Sequence, residues 1–195
     1  MKKLGVREGK IKKEKERQIF HFLVGIATIL LLIYYGRGIT IAGVFFTIII
    51  GTLLINARFL GKRIGFVKWF EERFEREDAL LPGWGSACYA TGVLIPLTFI
   101  ADTNGIAAAI FILALGDGVS TIVGRKGRIK IPYNKQKTVE GSVAFFLSSL
   151  IAYLFIGPAI IPLAALAAAV ESIDFKIDDN LTIPIACTAF LMVVL

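Results

Sequence analysis

Asp117 stands inside an apolar run between Gly116 and Gly118. The chain then passes through Gly124-Arg125-Lys126-Gly127 and meets Lys137-Thr-Val-Glu-Gly-Ser142 as the next apolar run begins. A carboxylate at membrane depth is costly and usually marks function. Cations and glycines clustered beside acids are what a metal-bound polyphosphate needs, because carboxylates hold the metal while cations and closely approaching backbone N–H groups face the phosphate oxygens. Gly116, Gly118, Gly124 and Gly127 allow that approach, and Arg125, Lys130, Lys135, Lys137 and Thr138 add polar groups. The spacing G-x-x-x-x-G-K-[ST] of a P-loop is missing. Two plainer readings stand beside this one. The cations could be topogenic charges that keep a loop on one side of a membrane, and Arg125 could be a structural counter-ion for Asp117.

The other candidates are Glu140, Glu171, Asp178, Asp179 and Asn180. Four or five oxygen donors at one depth would suit Mg²⁺, which takes carboxylates together with phosphate oxygens and water. Asp178, Asp179 and Glu140 could equally be acids at helix N-termini. His21, the single histidine, follows Arg17 at i, i+4 and shares its helix face. A satisfied structural histidine is its ordinary role, and a place near a phosphate or substrate hydroxyl is the alternative.

These residues must be positioned by a membrane scaffold. Hydrophobic residues make up 56% of 195 residues, with a mean hydropathy of +0.73, above the globular range. The sequence predicts an all-α integral membrane protein of one catalytic domain, 1–195. Seven apolar segments can be drawn, at 20–36, 38–56, 85–100, 105–124, 139–156, 158–173 and 180–195. Residues 1–17 carry eight Lys/Arg, 57–84 six, 125–138 six and 172–179 only Lys176, whereas the alternating loops hold only Arg37. The positive-inside rule therefore predicts a cytoplasmic N-terminus, seven spans and an outer C-terminus. It also brings Asp117, roughly 10 Å deep by helical rise, and the other four carboxylates into the cytoplasmic half of the bilayer.

Phe59, Leu60, Ile64, Val67, Phe70 and Phe74 recur at helical spacing among Lys62, Arg63, Lys68, Arg73 and Arg76, predicting an interfacial amphipathic helix over 57–80. It would serve as an anchor or admit lipid. Residues 1–17 read as a basic cytoplasmic segment without a secretory signal, and 125–138 as a cytoplasmic loop. Cys88 and Cys187 lie in apolar segments and suggest packing, with neither disulfide nor metal. The net charge of +7 sits in blocks between apolar segments, an arrangement that argues against nucleic acid.

On these residues the chain resembles the CTP-dependent polyprenol and lipid kinases: dolichol kinase, phytol kinase and the fungal CTP-dependent diacylglycerol kinase. The resemblance runs over most of the chain. It rests on Arg17-Gln-Ile-Phe-His21, Pro82-Gly-Trp-Gly-Ser-Ala87, the stretch 115–127, Lys137-Thr-Val-Glu-Gly-Ser142, Glu171, and Asp178-Asp-Asn-Leu-Thr-Ile-Pro184. Phosphatidate cytidylyltransferases look similar in the central block, but their later His-Gly-Gly-x-x-Asp-Arg run is missing here, and the Asp-Asp-Asn ending looks like the kinases. Gln18 departs from the second basic residue that the family often has.

The resemblance implies transfer of the γ-phosphoryl group of CTP to the hydroxyl of a membrane isoprenoid alcohol of dolichol, phytol or geranylgeraniol type, with diacylglycerol a further acceptor. Asp117 and Glu140 would hold Mg²⁺, with Asp178 or Asp179 as a further ligand and the general base open between Glu140 and Asp179. Arg125, Lys130, Lys135, Lys137 and Thr138 would bind the nucleotide, with the four glycines letting the backbone approach. Arg17, His21, Pro82, Gly83, Glu171 and Asn180 would bind substrate or support the site. The active site would face the cytoplasm, from the cell membrane of a prokaryote or the endoplasmic reticulum of a eukaryote. A CDP-lipid synthase and a non-catalytic lipid carrier are the competing classes, and a homodimer is compatible with the sequence.

Overall fold

The computed structural model describes residues 2–75 and 81–195, with side chains from Lys12 onward. Arg76, and with it the end of the expected 57–80 helix, lies outside the described residues.

The chain is overwhelmingly helical. Helix α1 (Lys2–Phe59) is two helices merged across Gly36, whose φ of 80° breaks the helical path. That positive φ costs a glycine little and any larger residue more. The turn is pinned by Arg37, whose Nε donates to the carbonyl of Leu97 at 2.6 Å, in the last turn of α3 (Trp84–Phe99). A cation on the unsatisfied carbonyls of a helix C-terminus is favourable.

Between them, α2 (Gly65–Phe74) is amphipathic and shorter than the expected 57–80, because α1 continues to Phe59 and a turn separates the two. Phe74 stacks on Phe20 of α1 at 4.8 Å and Phe70 meets Phe20 edge-on at 5.4 Å. Phe66 and Trp69 stay exposed. Ion pairs from Arg58 to Glu71 and from Arg73 to Glu16 tie α2 to α1.

Helix α4 (Thr103–Phe111) opens at Asp102, whose carboxylate accepts from Gly105 N–H at 2.6 Å. It is the central rod: Ile106 through Ile110 are all fully buried, as are Ile112 and Leu113 of the π-helical turn Ile112–Gly116 that follows. A π-turn inserts one residue into the helical ladder and often accompanies a functional site. Here it leads directly into α5 (Asp117–Gly124).

The 125–138 stretch departs from the expected loop and from a purely α architecture. It forms a hairpin of β1 (Lys130–Ile131) and β2 (Asn134–Thr138), antiparallel, with Lys130 opposite Thr138 and Ile131 opposite Asn134. Thr138 then caps α6 (Val139–Ser149), accepting from Gly141 N–H at 3.2 Å. A 3₁₀ turn, the short α7 (Tyr153–Ile156) and a second 3₁₀ turn at Gly157–Ala159 lead into α8 (Ile160–Ser172). The last helix is α9 (Asp179–Val194).

Among the described residues three helical stretches, Lys12–Phe59, Thr103–Gly124 and Val139–Ser172, are long and apolar enough to cross a membrane. The first has 48 residues and the third 34. At 1.5 Å per residue the 48-residue stretch measures about 72 Å, more than twice the ~30 Å hydrocarbon thickness, so the Gly36 break falls where a return pass would begin. α3 and α9 have 16 residues each, about 24 Å by the same rise.

α3 and α9 cross with backbones in contact at Gly92, where a Cβ would run into the carbonyl oxygen of Asn180. Gly92→Leu is therefore expected to destabilise the bundle by at least about 1–3 kcal/mol, the range for overpacking a tight core. Thermal unfolding of the detergent-solubilised variant tests this, and an unchanged midpoint would refute it.

Candidate active site

The site forms where side chains from four elements meet. Asp117 begins α5, Glu171 lies in the last turn of α8, Asp179 begins α9, and Lys137 leaves β2 just before α6. One carboxylate oxygen from each of Asp117, Glu171 and Asp179 lies within 4.8 Å of the others. Lys137 Nζ donates to Glu171 Oε1 at 2.5 Å and to Asp179 Oδ2 at 2.7 Å. Ser120 Oγ donates to Glu171 Oε1 at 3.1 Å, and Ser142 Oγ to Glu171 Oε2 at 3.4 Å.

Local chemistry explains why the hairpin delivers Lys137 there. Asn134 Nδ2 donates to the carbonyl of Ser172 at 3.0 Å, docking β2 on the end of α8 beside Glu171. Asn134 Oδ1 accepts from Gln136 N–H at 3.1 Å, which fixes the strand's start. The hairpin's return is fixed by Glu140, whose carboxylate accepts from the N–H groups of Arg128 at 2.7 Å and Ile129 at 3.2 Å. Close packing completes the arrangement: a Cβ on Gly141 would come within 3.1 Å of Gly124 Cα, and one on Gly127 within 2.5 Å of Thr138 Oγ1.

Three carboxylates against one ammonium leave two formal negative charges, the charge of one divalent cation. All the donors are hard oxygens, the set that Mg²⁺ takes. Burial works against the Lys137 ammonium, but the carboxylates of Asp179, Glu171 and Asp117 outweigh it and hold its pKa above the ordinary lysine range. Its contribution to stability is therefore complete below the unfolded lysine value of about 10.4, and is lost only as pH rises through the elevated folded value.

Lys137, Glu171 and Asp179 line a cleft of about 700 Å³ together with Lys13, Glu14, Arg17, Glu75, Arg125 and Lys130. Arg17 and Gln18 are buried, and both donate to Glu14, whose other oxygen accepts from Arg125 Nη2 at 2.6 Å. Glu14 thus links the N-terminal helix to the basic loop. Thr121, Gly124 and Thr138 complete the wall on the loop side.

Of the residues singled out in the sequence, the fold gathers Asp117, Asp179, Lys137 and Glu171. Glu140 is engaged by loop amides outside this group, and Asp178 caps α9 by accepting from Asn180 N–H at 3.0 Å. Asn180 is buried where α9 meets Gly92. Gly116 packs against Ser149 and Phe145, and Gly118 faces Gln18. His21 is buried with its ring 4.3 Å from that of Tyr89, whose hydroxyl donates to the His21 carbonyl at 2.7 Å. Gly83 takes a left-handed conformation at the N-cap of α3, and Pro82 precedes it. Lys135 is exposed and lies outside the cleft lining. Glu14, Glu75 and Ser120 were not among the candidates read from the sequence, and Ser142 stood there only as the end of the 137–142 motif. Only Glu14 carried a signal, as an acid three residues before Arg17 and so on the same helix face.

Comparison with known proteins bears on this cleft. An uncharacterized protein of Methanocaldococcus jannaschii is 36% identical over 177 residues, covering 88% of this chain and 89% of the relative. The chain belongs to the family of that archaeal protein. Similarity at lower identity extends to a probable phytol kinase of Oryza sativa subsp. japonica, 28% identical over 95% of this chain and 67% of the relative. It extends also to a farnesol kinase of Arabidopsis thaliana, 28% identical over 90% of this chain and 64% of the relative. Both are named as chloroplastic kinases of isoprenoid alcohols. No family model matches the chain, and no solved structure matches it.

Proposed function

We propose that this chain is a CTP-dependent kinase that transfers the γ-phosphoryl group of CTP to the hydroxyl of a membrane isoprenoid alcohol. The observation that carries the reading is the meeting of Asp117, Glu171 and Asp179 with Lys137, beside a cleft bordered by Lys13, Arg17, Arg125 and Lys130. Relatives named phytol kinase and farnesol kinase support the acceptor class. The choice of CTP rests on the sequence resemblance.

Phosphoryl transfer asks a protein mainly for positioning and charge neutralisation. Asp117, Glu171 and Asp179 would hold Mg²⁺, which when bound would neutralise β- and γ-phosphate oxygens. Lys137, already held among these carboxylates, would turn its ammonium to the transferred group. Arg125, Lys130 and Arg17 would hold the remaining phosphates, and the Gly124–Gly127 turn would let the backbone approach them. The hydroxyl of the alcohol would meet the nucleotide at the cytoplasmic edge while its tail stays among the helices.

We read the seven apolar segments as seven passes with a cytoplasmic N-terminus, two of them from Lys12–Phe59 folded at Gly36 and two from Val139–Ser172 broken at Gly157. The 21 of 22 basic residues on one side support this orientation.

The test is incubation of purified protein with Mg²⁺, CTP and a panel of phytol, farnesol, geranylgeraniol, dolichol and diacylglycerol. CDP and a phosphorylated alcohol are expected. Pyrophosphate with a CDP-lipid would replace the reading by cytidylyl transfer, and no product with any nucleotide triphosphate would overturn it.

A further inference from the structure

We propose that Glu75 receives the proton of the acceptor alcohol's hydroxyl; the assignment rests on the kinase reading above. Glu75 caps the C-terminus of α2, is only 7% exposed and lines the same cleft as Lys137, Glu171 and Asp179. Its Oε1 accepts from Gly85 N–H at 3.1 Å. Its Oε2 is shut off from solvent and has no hydrogen-bond partner among the described residues.

The other carboxylates of the cleft are committed. Glu14 holds Arg17, Gln18 and Arg125, while Glu171 and Asp179 hold Lys137. A buried carboxylate oxygen without a donor costs free energy that an incoming hydroxyl would offset.

The neighbourhood selects a lipid hydroxyl over a group of the nucleotide. Phe74, the residue before Glu75 in the chain, stacks on Phe20 and packs on Phe70 at 5.1 Å, so the last turn of α2 carries an aromatic cluster on the side that meets α1. An isoprenoid chain lying against that cluster would have its hydroxyl at the end of α2 that carries Glu75. The same placement gives the Pro82-Gly-Trp-Gly segment a task. Gly85 holds Oε1 through its N–H, and a Cβ there would crowd that oxygen at 3.1 Å.

In the step, the alcohol O–H bond breaks and its proton passes to Glu75 Oε2 as the alcohol oxygen bonds to the γ-phosphorus. The bond from that phosphorus to the bridging oxygen breaks, CDP departs with the electron pair, and Glu75 releases its proton into the cleft once the products have left.

Glu75→Gln keeps the acceptor for Gly85 and removes the base. Its expected effect is a loss of kcat of about 10²-fold, with KM for CTP, Mn²⁺ affinity and melting temperature unchanged. An acceptor whose hydroxyl is made more acidic by neighbouring fluorines should recover part of the loss. Should the glutamine variant fail to insert, Glu75→Asp, which withdraws the carboxylate by one methylene, is expected to show the same loss of kcat. Wild-type kcat in whichever variant inserts, or a loss that appears in Mn²⁺ affinity or in KM for CTP, would overturn the assignment alone. A wild-type protein inactive toward every alcohol would overturn the kinase reading and the assignment with it.

Discussion

Asp117→Asn is expected to reduce alcohol phosphorylation by at least about 10³-fold, about 4 kcal/mol of transition-state stabilisation, while the protein still inserts and folds. The side chain is 5% exposed at the start of α5, with oxygens of Glu171 and Asp179 within 4.8 Å. Asparagine keeps the shape and removes one formal charge from the set that would hold a divalent cation. The variant should insert at least as well as the wild type, because a charge at membrane depth opposes insertion. It should also melt at the same temperature or higher in metal-free buffer, because three crowded carboxylates repel one another. Such a gain in stability with a loss of activity is the pattern of a group kept for function. Turnover of CTP with geranylgeraniol, read beside thermal unfolding, provides the check. Near-normal turnover would remove Asp117 from the metal site.

Lys137→Met is expected to lower kcat by at least about 10²-fold, the scale for removing one donor aimed at developing charge, and to tighten divalent-ion binding. The wild-type ammonium sits 2.5 Å from Glu171 and 2.7 Å from Asp179. Its removal leaves three carboxylates without an internal cation, so Mn²⁺ gains Coulombic attraction as turnover falls. The metal-free variant should unfold earlier, since breaking a partly buried ion pair strands the partner charge of Glu171, and Mn²⁺ should restore its stability by mass action. Titration of Mn²⁺ followed by its paramagnetic signal reads the affinity. Weaker binding in Lys137→Met would show that the lysine supports the ion rather than competes with it.

The scaffold was largely legible in the sequence, for a simple reason. Hydrocarbon requires every backbone polar group to be satisfied within its own segment, so long apolar runs become helices. The break near Gly36, the apolar stripe through Val67, Phe70 and Phe74 and the cap at Asp178 all follow from local residue types, and local rules read them. The β1–β2 hairpin did not show. Its Lys130-Ile-Pro-Tyr-Asn-Lys-Gln-Lys137 run alternates poorly and holds one buried apolar residue, Ile131. The hairpin stands because Asn134 docks on Ser172 and Glu140 gathers the amides of Arg128 and Ile129, contacts between elements that no local pattern records.

The candidate site divides along the same line. By itself the sequence determined that a carboxylate, Asp117, sits in an apolar run. It determined that basic blocks alternate with apolar segments, and that acids cluster at the segment ends on the basic side. These follow from residue type and from counting along a helix, and counting supplies depth. Depth does not supply direction. Glu140 and Glu171 stand at the same expected level, yet only Glu171 joins Asp117 and Asp179, while Glu140 turns to the loop amides. Glu75, far from these residues in the sequence, enters the cleft because Gly85 holds it. Which side chains meet is decided by how helices rotate and pack against one another. That depends on close contacts such as Gly92 with Asn180 and Gly124 with Gly141, which only the assembled tertiary structure brings about.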